Sequence, residues 1–498
     1  VNFLKFRKKM YKQPDPPSIE TLSGSMSQQI VQIQDAFSHS EDLKHRQLSS
    51  GSQLFTLMYL ESLIKDELIE ANVIKPLRDA DDVQPQDAVT ALGVRQSSNL
   101  YDIVSALLEG YCVMLTDQAA SALLIAAPQE QTRAIEEPKD EQIIKGPHEG
   151  FVESLHTNMY LLRRRIRSPK FKVRYFTIGR FTNTKVAMVY METLAEPNIV
   201  EECVKRISAI DLDYMYSVTN MDEMIEEHPM SPFPQTIQTG RPDRAVSYLM
   251  EGKINVLVDG NPVVLVLPIT FFSFYQSVDD YNHRWIIGSF FRFIRLIGFI
   301  LAISLPAIYI AIVTYHSEVL PFGILYSIKV SLTYVPFPPL MEAITMQVIL
   351  ELLKEAAMRL PSPISQTIGI VGGLVIGTAV VEANLVSDTM IVVIGLTAIA
   401  SFATPLNEFG TSLRILGFPT MLAAAMFGFF GIAVVLMIIF IHLCKIETMG
   451  VPFFAPFGPF HGREGGKDIF LRLPIWKNES DDRINGKLLS FLKRWKRT

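Results

Sequence analysis

The sequence predicts an α/β soluble region of two related subdomains followed by an α-helical multi-pass membrane domain. Three observations carry that expectation. Hydrophobic residues fill 49% of 498 positions and charged residues only 19%, with a mean hydropathy of +0.23, too apolar for a chain that is soluble throughout. Charge is also segregated: residues 1–295 hold 69 charged side chains, whereas residues 296–441 hold 11 in 146 positions. Within the charged half, two motifs recur in the same order, the signature of a duplicated fold.

The first motif is Leu57-Met-Tyr-Leu-Glu-Ser-Leu63, repeated 131 positions later as Met188-Val-Tyr-Met-Glu-Thr-Leu194. The second is Leu107-Leu-Glu-Gly-Tyr-Cys-Val-Met-Leu-Thr-Asp117, repeated 142 positions later as Leu249-Met-Glu-Gly-Lys-Ile-Asn-Val-Leu-Val-Asp259. The later copy therefore carries 11 extra residues between its motifs, in an interval that contains Ser231-Pro-Phe-Pro-Gln-Thr-Ile237. In each copy the Glu-Gly pair is expected to end a helix, with glycine taking the left-handed position after it, and an apolar strand to follow. Residues 185–191 read as a strand leading into a helix over 199–210, and Asp259-Gly-Asn-Pro262 as the turn of a hairpin returning through residues 263–267. The repeated acids Glu61, Glu109, Glu192 and Glu251 fit capping and turn chemistry, with a ligand or metal site as the alternative.

These features divide the chain into a mobile basic and proline-rich arm (1–27), a first cytoplasmic subdomain (28–135), a second (146–285), a transmembrane domain of four to six spans (290–445) and a basic cytoplasmic tail (446–498). Residues 136–141 read as an exposed linker. Arg163, Arg164, Arg165 and Arg167 cluster at helical spacing at the start of the second subdomain. Anionic lipid headgroups or phosphate would suit them, and so would a solvated helix face or salt bridges to the neighbouring subdomain.

Uncharged stretches at 296–315, 360–381, 389–407 and 415–441 are each long enough to span a hydrocarbon core of about 30 Å. Arg292 and Arg295 precede the first and place the soluble half on the cytoplasmic side; the tail, with 11 basic and 6 acidic residues counted from Lys445, returns there. An even number of crossings follows. Pro306 is expected to kink the first span, and residues 451–460 read as an aromatic anchor at the membrane surface.

Residues 340–359 form the most informative segment. Pro336-Phe-Pro-Pro339 opens a helix, and helical spacing puts Gln347, Glu351, Lys354, Glu355 and Met358 on one face of an otherwise apolar rod, with Glu342 pointing elsewhere. Charges at the bilayer centre cost about 2.5–3.5 kcal/mol each on insertion scales, so these groups must face water, protein or one another. Three readings stand: an aqueous pore lined by several copies, an amphipathic helix in the interface, or charges paired with partner helices. In the next span Gly369, Gly373 and Gly377 form a doubled GxxxG ridge suited to close helix packing rather than to a nucleotide. Glu382, Asn384 and Asp388 mark a short turn after it, readable as an interfacial loop or an ion vestibule.

No nucleic-acid partner is expected from a net charge of −5 and no long basic run with interleaved aromatics. Cys112, Cys203 and Cys444 lie far apart, with no CxxC pair and no clustered histidines, so neither a disulfide framework nor a metal site is expected. HExxH, GxSxG and GxxxxGK[ST] are all missing; no catalytic residue and no cofactor is assigned, and the chain reads as a non-enzyme.

Glu149-Gly-Phe-Val-Glu153, Arg163-Arg-Arg-Ile-Arg-Ser-Pro169, Ser231-Pro-Phe-Pro-Gln235, Arg241-Pro-Asp-Arg244, Pro336-Phe-Pro-Pro-Leu340, Gln366-Thr-Ile-Gly-Ile-Val-Gly-Gly373 and Leu396-Thr-Ala-Ile-Ala-Ser401 resemble the A subunit of the GerA family of bacterial spore germinant receptors, in order and over about residues 50–470. The resemblance implies a multi-pass protein of the spore inner membrane. It further implies assembly with a transporter-like B subunit that senses the nutrient and a lipoprotein C subunit, oligomerisation, and ion conduction when nutrient binds. A non-conducting scaffold of the receptor, and a paralogous A-type protein that assists the dipicolinate channel, are the alternatives within the same resemblance.

Overall fold

The computed structural model describes residues 21–50, 53–79, 93–117, 121–129, 138, 141, 145–361, 364, 369, 372–458, 469 and 471–472. The expected arm (residues 1–20 of it), most of the 136–141 linker, much of residues 360–371 and the tail beyond residue 472 lie outside the described residues. The chain divides into two compact units. One holds two β-sheets and their helices; the other holds residues 141–146, 226–237 and everything from Leu267 onward.

In the first sheet, strands β1 (Leu43–Ser50), β2 (Gln53–Leu60), β3 (Val94–Ser97), β4 (Tyr111–Thr116) and β5 (Ala122–Ala126) lie in the order β1-β2-β4-β5-β3, and the helices α1 (Met26–Ala36) and α2 (Leu100–Leu108) accompany them. In the second, β6 (Phe171–Ile178), β7 (Thr184–Met191), β8 (Ile237–Thr239), β9 (Ile254–Val258) and β10 (Val264–Leu267) lie in the order β6-β7-β9-β10-β8, with α3 (Leu155–Arg165), α4 (Pro197–Ala209) and α5 (Pro242–Met250). The two strand orders are the same. The register repeats as well: Phe55 and Met58 face Thr116 and Val113, and 131 and 142 positions on, Val186 and Val189 face Val258 and Asn255. A single residue of slip would turn every core side chain outward, so shared register is strong support for the duplication read from the sequence.

The two motifs of each copy meet in space. Glu109 and Glu251 close α2 and α5, and Gly110 and Gly252 follow with φ of +85° and +81°. A Cβ at Gly110 would lie 2.8 Å from the Leu63 carbonyl oxygen, and one at Gly252 would lie 2.6 Å from that of Leu194, the equivalent residue. Glycine is needed both for backbone conformation and for space. Gly252→Ala is expected to cost about 1–3 kcal/mol, seen as a lowered unfolding midpoint; an unchanged midpoint would contradict the left-handed turn.

The longer interval of the second copy contains residues of the other unit. Residues 226–237 belong by their contacts to the helical unit, where Phe233 is buried between Phe271 and Phe409 and Ser231 Oγ lies 2.9 Å from His442 Nε2. Ser231-Pro-Phe-Pro-Gln-Thr-Ile237 is thus part of the packing of the helical unit. Phe453 and Phe454 from the expected aromatic anchor join the same cluster through Phe271.

The helical unit contains α6 (Trp285–Thr314), α7 (Phe322–Thr333), α8 (Pro339–Arg359), α9 (Asp388–Phe402) and α10 (Asn407–Lys445). Among the described residues, α6 and α10 are long and apolar enough to cross a membrane. The expected span at 389–407 is a 15-residue helix, about 22 Å long and short of the bilayer core. That at 360–381 is described as helix over residues 372–382. The first span begins 11 residues earlier than the apolar run, because Arg292 and Arg295 lie within α6 rather than before it. They are buried on Asp280, whose Oδ2 accepts from Arg292 Nε and Arg295 Nη1 at 3.0 Å each. Pro306 sits inside α6. A break lies in α10, at Gly428 (φ 60°, ψ −139°). Tyr315 donates to the Ala425 and Met426 carbonyls just before it, at 3.0 Å each, satisfying acceptors near the break.

Candidate functional site

Helix α8 begins where expected, with Pro339 in its first turn. It ends at Leu360, held extended (φ −102°, ψ 149°) by the steric demand of Pro361. The five polar-face residues do not share one environment. Glu351 reaches α10: its Oε1 accepts from Arg414 Nε at 2.5 Å and from Gln347 Nε2 at 3.4 Å. Arg414 and Gln347 are buried, and Arg414 also donates to Thr411 Oγ1 at 3.0 Å. Lys354 places its ammonium 5.4 Å from the centre of the Phe402 ring on α9. Glu355 is half-exposed and, among the described residues, pairs along its own helix, accepting from Arg359 Nη2 at 2.5 Å. Met358 is exposed beside it.

The stripe therefore splits into an inner part locked to α9 and α10 and an outer part, Glu355, Met358 and Arg359, that those helices leave open. Met341, Val348 and Leu352 are exposed on α8 as well. Glu342, set aside from the sequence, is the most enclosed of the helix's carboxylates, fully buried with Oε2 accepting from the Ser387 backbone N–H at 2.8 Å and Oγ at 2.9 Å. Sequence spacing missed it because a partner 45 residues away leaves no periodic signal.

A Cβ at Gly369, Gly373 or Gly377 would meet nothing within 4 Å; Gly372 instead faces Leu353 of α8, whose methyl such a Cβ would approach to 2.8 Å. Among the described residues the ridge is open. In the arginine cluster, Arg163 is wholly buried and forks onto Asp42 of the first subdomain, Nε to Oδ2 at 2.9 Å and Nη2 to Oδ1 at 3.0 Å. That burial leaves it unavailable to a lipid headgroup. Arg164 and Arg165 share Glu149 at 3.3 and 2.6 Å, and Arg167 is exposed. Glu61 lies near Lys44, and Glu192 near Lys170 and Lys172. Among the described residues no group of three or more His, Cys, Asp or Glu is placed to hold a metal. Burial pushes the Cys112 and Cys203 thiols up to about 12, so both stay protonated at neutral pH.

The sequence profile of the Bacillus/Clostridium GerA spore germination protein matches residues 31–484. The chain belongs to the GerA family. Spore germination protein KA of Bacillus subtilis (strain 168) is similar to this GerA-family chain at 34% identity, over 92% of it and 86% of that protein. Spore germination protein GerLA of Bacillus cereus is 35% identical, over 91% and 94%. Another relative, 36% identical over 87% and 86%, is the uncharacterized membrane protein YfkQ of Bacillus subtilis (strain 168). The N-terminal domain of the A subunit of the Bacillus megaterium spore germinant receptor GerK3 aligns with a TM-score of 0.39 at 24% identity, covering 51% of this chain and 98% of that one.

Proposed function

We propose that this GerA-family chain is the A subunit of a nutrient germinant receptor in the spore inner membrane, that it oligomerises, and that α8 lines a nutrient-gated ion path. In this reading the soluble unit and the tail face the spore core, a transporter-like B subunit senses the nutrient, and a lipoprotein C subunit completes the complex. Family membership supports the germination role. The observation that supports the ion path is the outer part of α8: Glu355 is an exposed carboxylate on a helix of membrane length, and exposure to acyl chains is the costly alternative to water or protein. Glu351 is tied to the buried Arg414, whereas Glu355 pairs with Arg359 on the exposed side of its own helix, a solvated contact with which a passing cation can compete.

Glu355→Gln is expected to lower ion release during germination several-fold at normal complex abundance, while Glu351→Gln acts first on assembly by leaving Arg414 without its carboxylate. Wild-type flux from Glu355→Gln receptors that assemble normally would reject the pore role. The Glu351–Arg414 pair favours a second reading, a non-conducting scaffold whose charges only join helices. There, reversing Glu355 would prevent assembly before it altered conductance.

A further inference from the structure

We propose that Glu342 holds a monovalent alkali cation, in a site entered from the cleft between α7 and the turn that precedes α9. The inference is independent of whether the chain conducts. Glu342 is fully buried, and among the described residues it has no ion-pair partner. Its Oε2 is occupied by two donors from Ser387, and its Oε1 is buried with no hydrogen-bond partner at all. A carboxylate so placed lacks a countercharge. A cation bound at Oε1 would supply that countercharge.

The surroundings supply what an alkali ion needs. Ser387 Oγ, which donates to Oε2, lies 3.5 Å from the Tyr309 hydroxyl, and that hydroxyl lies 2.8 Å from Thr389 Oγ1, so a chain of hydroxyl oxygens from α6, α9 and the turn before it continues from the carboxylate. Hard cations take such oxygen donors. One buried negative charge matches one positive charge, and the same lack of clustered acids and histidines that disfavours a transition metal leaves a monovalent ion as the fitting class. Ser387 is also the link to the outside: it lines a cavity of about 460 Å³ together with Tyr326, Ser327, Tyr334, Asn384 and Asp388. Asp388 is exposed on that cavity and favours cation entry. The turn read from the sequence as a loop or vestibule is then the mouth of a binding site.

The test uses the full chain purified in detergent, with rubidium-86 as probe and choline as the inert replacement cation. Saturable binding approaching one ion per chain is expected, competed by potassium or sodium, together with a higher melting temperature in alkali chloride than in choline chloride. Glu342→Gln should abolish both effects, whereas Glu318→Gln, which removes an exposed acid away from the cavity, should leave both intact. Should Glu342→Gln fail to fold, Tyr309→Phe decides, and a several-fold loss of affinity is expected. Absence of saturable binding to the wild type, unchanged binding after Glu342→Gln or after Tyr309→Phe, or stabilisation that follows pH and ignores the alkali ion would each overturn the proposal.

Discussion

Asp280→Asn is expected to be the most damaging single substitution in the helical unit, with a loss on the order of 3–5 kcal/mol. Asp280 is fully buried and accepts from Arg292 and Arg295, themselves nearly excluded from solvent. Both arginines are one turn apart on α6, and Arg472 packs against the same helix start, donating to the carbonyls of Tyr281 and His283. Three guanidinium groups thus converge where Asp280 supplies the carboxylate that the arginines of α6 share. Removing its charge takes away the carboxylate that Arg292 and Arg295 share, and desolvation then outweighs what packing retains. The measurement is chain abundance in the membrane together with the melting temperature of whatever accumulates. Adding Arg292→Gln and Arg295→Gln should restore part of the loss; wild-type melting of the single variant would show that the charges are hydrated after all.

Arg163→Met is expected to cost a similar 3–5 kcal/mol in the two-sheet unit. Arg163 and Asp42 have 0% side-chain exposure. The guanidinium also donates to the carbonyls of Ser168 and Phe171 and stacks 4.4 Å from the Phe171 ring centre. Among the described residues, Asp42 would be left with Ser40 Oγ, at 2.6 Å, as its remaining side-chain donor. The double variant Asp42→Leu, Arg163→Met should recover most of the stability, because a buried ion pair replaced by apolar groups of similar size is often neutral. If the double variant is as unstable as the single one, the four hydrogen bonds rather than charge burial dominate. Chemical denaturation followed by circular dichroism separates the two cases.

The duplicated architecture was legible because a recurring Glu-Gly turn and its partner strand need particular residues at particular places. Gly110 and Gly252 occupy left-handed positions against equivalent carbonyls, and the offsets of 131 and 142 reappear as strand register. Helix α8 was legible for a similar reason, since proline at both boundaries and a polar stripe are local signals. The roles of its acids were not. Spacing grouped Glu351 with Glu355 and set Glu342 apart, while packing gave Glu351 to Arg414, left Glu355 exposed and buried Glu342 under Ser387. Likewise Arg292 and Arg295 read as flanking charges until Asp280, 12 and 15 residues upstream, was seen to neutralise them.

The amino-acid order alone determined the two-copy α/β plan, the segregation of charge from membrane-length apolar runs, and the family, because each is written in short-range pattern or in composition. Tertiary structure alone decided which charged groups are neutralised, which are exposed and which are buried without a countercharge. Those outcomes depend on partners 12 to 121 residues distant, and the cost of burying a charge is set by what surrounds it in space and not by its neighbours along the chain.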